Sequence, residues 1–441
     1  MNELKIISWN CNGIKNKTPE LTAFIKENKT DIILLGETHL NPRDKLTIPN
    51  YYTYRTDRPK PANCPTTGGT AILIRRNIPH HYLVLPTEMD STSIQIKLNN
   101  NTAQITSVYK SPRTKLHQKD LDTLTKHDGP FLIAGDLNSK HPTWNSRQTN
   151  TSGRKLLQHS ESNNYIVIAP DSPTHFPYNG KHQPDVLDIA LINLPSINYT
   201  LTNHNDLSSD HNPIQLNIQA SPISRNPPKT SNKINWTKFK NELSQIKISN
   251  VRTPQEIDHK IDELTNNIKT QLENSTYTVE PKLNKSHLPA EITLEIETKR
   301  LLRKMWQTTR DPKTKKLYNA PITFVKKLLT DHRQSEWDAF VQTLNFKDKS
   351  LYKLNHCLLH KKPANTPLQT THGRKIFEDD EKAELFADTM EDQFTNNPGE
   401  NIQEAVDTYT EINRDKTPSQ EFITPKQISN IINKLPNGKA P

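Results

Sequence analysis

The chain has 441 residues, a low hydrophobic content of 32% and a net charge of +10, which predict two or three domains, some loosely packed segments and a polyanionic partner. Its three cysteines, Cys11, Cys64 and Cys357, lack paired spacing, which argues against a disulfide framework and a zinc site and favours a reducing intracellular compartment. No apolar run approaches the roughly 20 residues of a membrane span, and the N-terminus lacks the pattern of a signal peptide.

Apolar runs and alternating patterns predict strands through residues 1–219, and apolar residues at helical spacing predict helices between them. In chain order we expect strands at 4–9, 31–35, 70–74, 92–98, 103–109, 131–134, 186–192 and 213–219, and helices at 19–28, 117–127 and 152–163. This mixture of neighbouring strands and helices predicts an α/β domain, in which two sheets pack together with helices outside.

The character of the chain changes after residue 219. Proline and polar residues dominate 220–233 and predict a linker. No glycine occurs between 181 and 372, and we expect amphipathic helices at 254–273, 288–310, 314–344 and 379–395. The sequence therefore predicts a mainly α-helical connector over 234–421, in which Trp306 and Trp337 are packing residues.

The strand at 131–134 leads directly into Gly135, Asp136 and Asn138. Residues two apart in an extended chain point to the same side, so a carboxylate and a carboxamide would face one point in space. A metal-assisted hydrolase needs such a pair, with one group to hold or deprotonate a water and one to orient it. The same residue types are also the commonest in turns, so this motif alone leaves both interpretations open.

Other polar side chains recur where predicted strands end. They are Asn10, Glu37, Tyr109, Asp185 and the run Ser209-Asp210-His211. Asp188 lies inside the apolar run 186–192, where a buried carboxylate is costly unless a cation or a metal pairs with it. His211 is a natural partner, because an Asp–His pair fixes the imidazole tautomer and favours its charged form. A purely structural pair is the alternative interpretation.

Together these residues form a consistent set for hydrolysis of a phosphate ester. The carboxylates of Glu37 and Asp210 and the amide of Asn10 offer oxygen ligands that suit Mg²⁺ or Mn²⁺. The groups that can place a water and neutralise a phosphate are Asp136, Asn138, Asp188, His211 and Tyr109. Neither a Gly-x-Ser-x-Gly motif nor a glycine-rich phosphate loop occurs. Most histidines lack paired spacing, and we expect His80 and His81 at the surface.

Six stretches in family order resemble the motifs of the endonuclease/exonuclease/phosphatase superfamily. They are SWNCNG (8–13), GET (36–38), YKSP (109–112), GDLN (135–138), LDIA (187–190) and SDH (209–211). Three further stretches resemble the endonuclease domain of jockey-like non-LTR retrotransposons: GGTAILIR (68–75), NSKHPTW (138–144) and PDVLDIA (184–190). The resemblance implies a four-layered α/β sandwich over 1–219. Because 431–441 resembles the start of a reverse transcriptase, it also implies a truncated polymerase domain over 422–441 without its active site.

The resemblance also implies a role for each matched residue. The metal ligands would be Asn10, Glu37 and Asp210. Among the catalytic residues, Asp136 would activate the water and Asn138 would orient it. Tyr109 would contact the scissile phosphate. His211, oriented by Asp188, would stabilise the pentacovalent phosphate. Substrate contacts would come from Thr174, Asn12 and Ser209.

The implied activity is a Mg²⁺-dependent endonuclease, with Mn²⁺ as a possible substitute, that nicks double-stranded target DNA. The 3′-OH would prime reverse transcription of the element RNA in the full-length protein. We expect no membrane partner and no small-molecule cofactor, with synthesis in the cytoplasm and action in the nucleus. One alternative is an apurinic-site repair nuclease or a phosphatase, since the scaffold does not decide the substrate. Another is a non-catalytic nucleic-acid-binding remnant, which would not need the intact acidic set.

Overall fold

In the computed structural model the chain divides into two compact units, Met1–Glu378 and Asp379–Pro441. The described residues are 3–59, 64–99, 101–127, 129–194, 197–220, 222, 231–246, 253–279, 288–360, 366–370, 372–394, 407 and 411. Most of the predicted linker at 220–233 and all of the predicted polymerase start at 422–441 lie outside them. The division of the chain into four parts stays a prediction.

The first six-stranded sheet takes strands from both ends of residues 1–219. Its spatial order is β11 (Tyr199–Asn203), β12 (Ile214–Ile218), β1 (Leu4–Asn10), β2 (Ile32–Gly36), β4 (Thr70–Arg75) and β3 (Tyr51–Thr56). β1 pairs in parallel with β2, so that Asn10 lies opposite Gly36. The residues that follow these two strands therefore lie at the same end of the sheet.

The second six-stranded sheet is built around the strand that ends in Asp136. Its spatial order is β5 (His80–Leu83), β6 (Asp90–Leu98), β7 (Asn101–Tyr109), β8 (Phe131–Asp136), β10 (Asp188–Asn193) and β9 (Ile166–Ile168). β8 runs parallel to β7 and antiparallel to β10. This register places Asp136 between Tyr109 and Asp188.

The two sheets pack face to face and carry helices on their outer faces. Ile6 belongs to the apolar core between the sheets, whereas the next residue, Ile7, packs under helix α1 (Thr18–Glu27). Successive strand residues point to opposite faces, so a strand buried on both sides needs a continuous apolar run. Helices α2 (Gln118–Thr125) and α3 (Thr151–Ser162) cover the second sheet. The predicted four-layered α/β sandwich is confirmed.

The four strands that the sequence does not predict in this domain are the four edge strands, β11, β3, β5 and β9. Edge strands keep one side in water, and their apolar pattern is correspondingly weak, as in the half-exposed run Tyr51–Thr56. The expectation of a surface position for His80 is wrong. Its ring is fully buried, with Nδ1 at 2.7 Å from the Ile78 carbonyl and Nε2 at 2.9 Å from the Tyr54 hydroxyl.

The region after residue 230 is mainly helical. Its elements in the first unit are β13 (Ser231–Ile234), α4 (Trp236–Leu243), α5 (Pro254–Ser275), β14 (Thr276–Val279), α6 (Ala290–Thr309), α7 (Pro312–Gln342), α8 (Ser350–Leu359), β15 (Leu368–Gln369) and β16 (Lys375–Ile376). The second unit contains α9 (Asp379–Phe394). Trp306 is buried, as predicted, whereas Trp337 is 43% exposed on the open face of α7. Among the described helices, none combines the length and the apolar sequence that a membrane span requires.

Helix α6 is joined to the sandwich by buried ion pairs. The Lys299 ammonium, almost fully buried, donates to Glu20 of α1 and, at 3.0 Å, to Asp206. Arg300 pairs with the second oxygen of Asp206 at 2.6 Å and with Glu27. Burial alone would raise the pKa of Asp206, but Lys299 and Arg300 outweigh burial and lower that pKa to about 2. Buried charges are tolerated only when they are paired in this way.

We expect Gly135→Ala to destabilise the domain by about 1–3 kcal/mol, which is the usual cost of overpacking a core. A Cβ at Gly135 would overlap the carbonyl oxygen of Val108 on the neighbouring strand β7. Gly180→Ala is the matched control, because no atom lies within 4 Å of its added Cβ. Urea unfolding measures both variants. Equal unfolding free energies would contradict the close approach of β7 and β8.

We expect Asp206→Asn to lower the free energy of unfolding near pH 7 by roughly 2 kcal/mol. The ordinary pKa of 3.8 falls to about 2 in the folded state, so the stabilisation is complete above the unfolded value and is lost as pH falls toward the folded one. Urea unfolding should therefore show a gap between wild type and variant that closes on acidification. Asp331→Asn, at an exposed position of α7, should open no gap. A gap independent of pH would contradict the ion pairs.

Candidate active site

The ends of the two sheets meet at Asp136. Asn10, the last residue of β1, donates from Nδ2 to Oδ2 of Asp136 at 3.0 Å, which joins the first sheet to the second. Both residues are 2% exposed. Since a buried carboxylate is costly without hydrogen bonds, this contact also supports the position of Asp136. Two of the strand-end residues named from the sequence therefore meet in space.

His211 lies between two carboxylates of the second sheet. Its Nδ1 is 2.7 Å from Oδ2 of Asp188, and its Nε2 is 3.8 Å from Oδ2 of Asp136. Oδ1 of Asp188 is buried without a hydrogen-bond partner in the described part of the chain, so His211 provides the main compensation for this carboxylate. The predicted Asp–His pair is present, and its ring faces Asp136.

The surroundings of this trio shift the pKa values of His211 and Asp136 away from their ordinary values. Burial lowers the pKa of His211, but the charge and hydrogen bond of Asp188 reverse the effect and raise the pKa to about 10. Burial also raises the pKa of Asp136 to about 7, against the opposing influence of the His211 charge. Asp188 therefore favours the charged form of the His211 imidazole, and the buried Asp136 carboxylate binds a proton more readily than an ordinary aspartate, as a general base requires.

The motif at Asp136 and Asn138 is both a turn and part of the site. The Asn138 backbone N–H donates to Oδ1 of Asp136 at 2.9 Å, and Asn138 adopts a left-handed φ of 46°. Its side-chain Nδ2 donates to the Lys110 carbonyl at 3.0 Å. The turn therefore holds the carboxylate and the carboxamide in fixed orientations, so the two interpretations of this motif are compatible.

Glu37 follows β2 at the same edge. Burial alone would raise its pKa, but hydrogen bonds from His39 and Tyr109 keep that pKa below its ordinary value. The Asn10 carboxamide oxygen accepts a hydrogen bond from the Asn12 N–H at 3.1 Å and keeps a second lone pair. An ionised carboxylate and an amide oxygen are hard donors, which fit a divalent cation.

Asp210 lies beside two imidazoles. It accepts from Nδ2 of Asn12 at 3.1 Å, and its other oxygen is 3.6 Å from Nε2 of His175. Burial would raise the pKa of Asp210, but the His175 hydrogen bond and the His211 charge hold it far below the ordinary value. The ligand atoms of His175, Asp210 and His211 lie within 4.8 Å of one another. Nδ1 of His211 already contacts Asp188 at 2.7 Å, so only its Nε2 could face a cation.

Two of the three predicted substrate contacts lie beneath the site. The Thr174 hydroxyl is fully buried and accepts the N–H groups of Leu187 and Asp188, each at 3.1 Å. The Ser209 hydroxyl is buried and donates to the Asn10 carbonyl at 2.8 Å. These contacts with the backbone hold site residues in place, and a substrate contact by Thr174 or Ser209 stays a prediction. Asn12 is half-buried beside Asp210 and stays a candidate for substrate contact.

Two residues near the site have no local signal in the sequence. His175 stacks on His211 with ring centroids 4.5 Å apart. Arg58 lies over the Tyr109 ring at 5.5 Å and pairs with Asp90 at 2.6 Å. Burial and the neighbouring Glu37 raise the pKa of Tyr109 far above its ordinary value, so its hydroxyl stays protonated. His175 and Arg58 join the site through contacts with residues that are distant in the sequence, and local sequence patterns do not reveal such contacts.

A cleft of about 510 Å³ opens beside Asn138 and His175. Its lining includes the basic residues Lys140, Arg147 and His182. Lys140 is paired with Asp185 at 2.9 Å, within the same lining. Basic residues in a cleft of this kind attract a polyanion to the neighbouring carboxylates.

Comparison with known proteins agrees with this arrangement. Residues 7–211 match the endonuclease/exonuclease/phosphatase family. The chain is 26% identical over 459 residues to the probable RNA-directed DNA polymerase from transposon X-element of Drosophila melanogaster. This alignment covers 100% of this chain and 50% of that protein. It is 25% identical over 457 residues to the RNA-directed DNA polymerase from mobile element jockey of the same species, over 99% of this chain and 49% of that protein.

The chain spans about half the length of these curated relatives. Among solved structures it is similar to the endonuclease domain of TRAS1, a telomere-specific non-LTR retrotransposon, with a TM-score of 0.41 and 17% identity over 49% of this chain and 98% of that one. The match to the endonuclease/exonuclease/phosphatase family therefore covers residues 7–211, and the chain is similar over nearly its whole length to proteins of the jockey and X-element retrotransposons.

We expect Cys11, next to Asn10, to resist alkylation in the folded protein. Its thiol is fully buried, and burial raises its pKa to about 12, which suppresses the reactive thiolate. Cys64 and Cys357 are exposed and should react. Intact-mass measurement after iodoacetamide treatment should give two adducts in buffer and three in denaturant. Cys11→Ser should give two in both. Three adducts on the folded wild type would contradict the buried position of this strand end.

Proposed function

We propose that residues 1–219 are a metal-dependent DNA endonuclease of a non-LTR retrotransposon. It hydrolyses a phosphodiester of double-stranded target DNA and leaves a 3′-OH and a 5′-phosphate. The observation that carries the proposal is the buried Asp136 carboxylate, within 3.0 Å of Asn10 and 3.8 Å of the cationic His211. In the full-length protein the 3′-OH primes reverse transcription of the element RNA. The protein is made in the cytoplasm and acts in the nucleus.

Asp136 is the general base of the proposed reaction. Burial raises the pKa of Asp136 above the ordinary value, which makes this carboxylate a stronger base. The Asn138 turn fixes the direction of the carboxylate through the 2.9 Å backbone hydrogen bond. Asp136 takes a proton from the attacking water, and Asn138 orients that water in line with the leaving oxygen.

His211 stabilises the charge that develops on the phosphate. A cation placed before the reaction begins costs no reorganisation in the transition state. Asp188 keeps the imidazole charged and fixes its orientation through the 2.7 Å contact to Nδ1. Tyr109, whose hydroxyl stays protonated, contacts the scissile phosphate as a hydrogen-bond donor.

Glu37, Asn10 and Asp210 would hold the cation. All three offer oxygen, which Mg²⁺ prefers, whereas zinc prefers nitrogen and sulfur ligands. When bound, Mg²⁺ supplies positive charge at the non-bridging and leaving oxygens. The basic cleft beside Asn138 and the net charge of +10 support a nucleic acid over a small phosphate ester as substrate.

We expect Asp136→Asn to lower Mg²⁺-dependent plasmid nicking by about 10²–10⁴-fold, since it removes the proton acceptor. His211→Ala should lower it by about 10²–10³-fold, through loss of transition-state stabilisation. Asp171→Asn, at an exposed position, is the matched control and should nick at the wild-type rate. Circular dichroism verifies that each variant is folded.

Wild-type nicking that persists in folded Asp136→Asn or His211→Ala would refute the assignment of these residues. The substrate is tested separately, with intact plasmid, duplex containing an abasic site, and inositol phosphates. Turnover of abasic duplex or inositol phosphate alone would replace the retrotransposon endonuclease with a repair nuclease or a phosphatase. Salt-dependent DNA binding without any nicking would indicate a non-catalytic binding protein.

A further inference from the structure

Helix α6 lies against the loop that carries Asp210 and His211. This loop connects β11 to β12 and spans residues 204–213. We propose that the helical region after the sandwich completes the active site, and that Arg303 of α6 is a positioning residue for His211. The inference rests on the proposed function, because it assigns Arg303 to the same reaction.

Arg303 is fully buried and bonds almost exclusively to this loop. Its Nη2 donates to the carbonyls of Ser209 at 2.9 Å and His211 at 3.2 Å. Its Nη1 donates to the Leu207 carbonyl at 2.6 Å and to the Tyr318 hydroxyl at 2.7 Å. One planar guanidinium therefore fixes three carbonyls of a loop that has no regular secondary structure.

Asn212 extends this set of contacts. Its Oδ1 accepts from Arg303 at 2.8 Å and from Nε2 of Gln307, also on α6, at 2.7 Å. Its backbone N–H donates to the Thr174 carbonyl at 2.7 Å, and the Thr174 hydroxyl in turn holds the N–H of Asp188. The contacts of α6 thus reach both members of the Asp188–His211 pair.

The direction of the His211 ring depends on where its backbone lies. The His211 carbonyl accepts from Arg303 and, at 3.2 Å, from Nε1 of Trp9 on β1. One of these donors belongs to the helical region and the other to the sandwich. A displacement of about 1 Å in a catalytic group can cost 10²-fold in rate, so a donor that fixes this carbonyl contributes to turnover.

The attachment of α6 is specific and not a loose surface contact. Lys299 is buried between Glu20 and Asp206, one helical turn before Arg303. Beyond Arg303, the Trp306 ring packs on Phe176 at 6.3 Å. Ionic contacts before Arg303 and an aromatic contact beyond it therefore hold this part of α6 against the sandwich.

Lysine cannot replace this guanidinium. Arginine presents five N–H donors in a rigid fork, whereas lysine presents three donors at one point. All donor groups of Arg303, at Nε, Nη1 and Nη2, are used. A lysine at this position keeps the charge and most of the apolar stem but cannot serve the carbonyls of Leu207 and Ser209 together with Asn212.

The test uses the full chain with Arg303→Lys, and with Lys304→Met as the matched control on the exposed side of the same helix. We expect Arg303→Lys to lower kcat for plasmid nicking by about 10–100-fold, the usual effect of losing a support of a catalytic group, with KM for DNA unchanged. Lys304→Met should behave as wild type. Tyr318→Phe, which removes one partner of Arg303, should give a smaller loss of kcat and keeps the test decisive if Arg303→Lys does not fold.

A second readout does not depend on DNA cleavage. The downfield proton resonance of the His211 imidazole reports its hydrogen bond to Asp188, and it should shift or broaden in Arg303→Lys and stay unchanged in Lys304→Met. A folded Arg303→Lys or Tyr318→Phe with wild-type kcat and an unshifted resonance would overturn the inference. If the wild type fails to nick any DNA, the proposed function fails, and the resonance alone decides whether Arg303 positions His211.

Discussion

The hydrogen bond from Asn10 to Asp136 is the contact on which the site depends. It spans the two sheets at 3.0 Å and unites two strand ends that are 126 residues apart in the chain. The strands of the first sheet deliver Glu37 to one end of that sheet, and the strands of the second sheet deliver Tyr109 and Asp188 to one end of the second. Face-to-face packing brings these two ends together. Their alignment matters energetically, because the buried carboxylate of Asp136 would be a costly unpaired charge without its partners.

Burial also determines the chemistry. The same low-polarity surroundings that raise the pKa of Asp136 would lower that of His211, if Asp188 did not reverse the effect. A carboxylate of raised pKa and an imidazole whose charged form is favoured therefore lie 3.8 Å apart. Separate pKa values for neighbouring groups are the usual basis of acid and base roles in one site. The hydroxyls of Thr174 and Ser209 contribute by fixing the backbone under these groups.

Much of this could be predicted from the chain alone. Apolar runs gave the central strands, and the polar residues that end them gave the site, because strands of a sheet deliver their ends to a common edge. The edge strands were missed, since Tyr51–Thr56 is half in water and lacks a strong apolar pattern. Arg303 was missed for another reason. Its partner Ser209 is 94 residues away, and an arginine on an amphipathic helix looks like a surface residue until the helix is docked.

The most direct measurement is end mapping of a Mg²⁺-dependent nick in supercoiled plasmid by the purified full chain. A base at Asp136 that activates water, opposite a leaving oxygen stabilised by charge, predicts a 3′-OH that a polymerase extends and a 5′-phosphate that a ligase reseals. A product with a 3′-phosphate, or a plasmid that stays intact while the protein is folded and Mg²⁺ is present, would contradict the account.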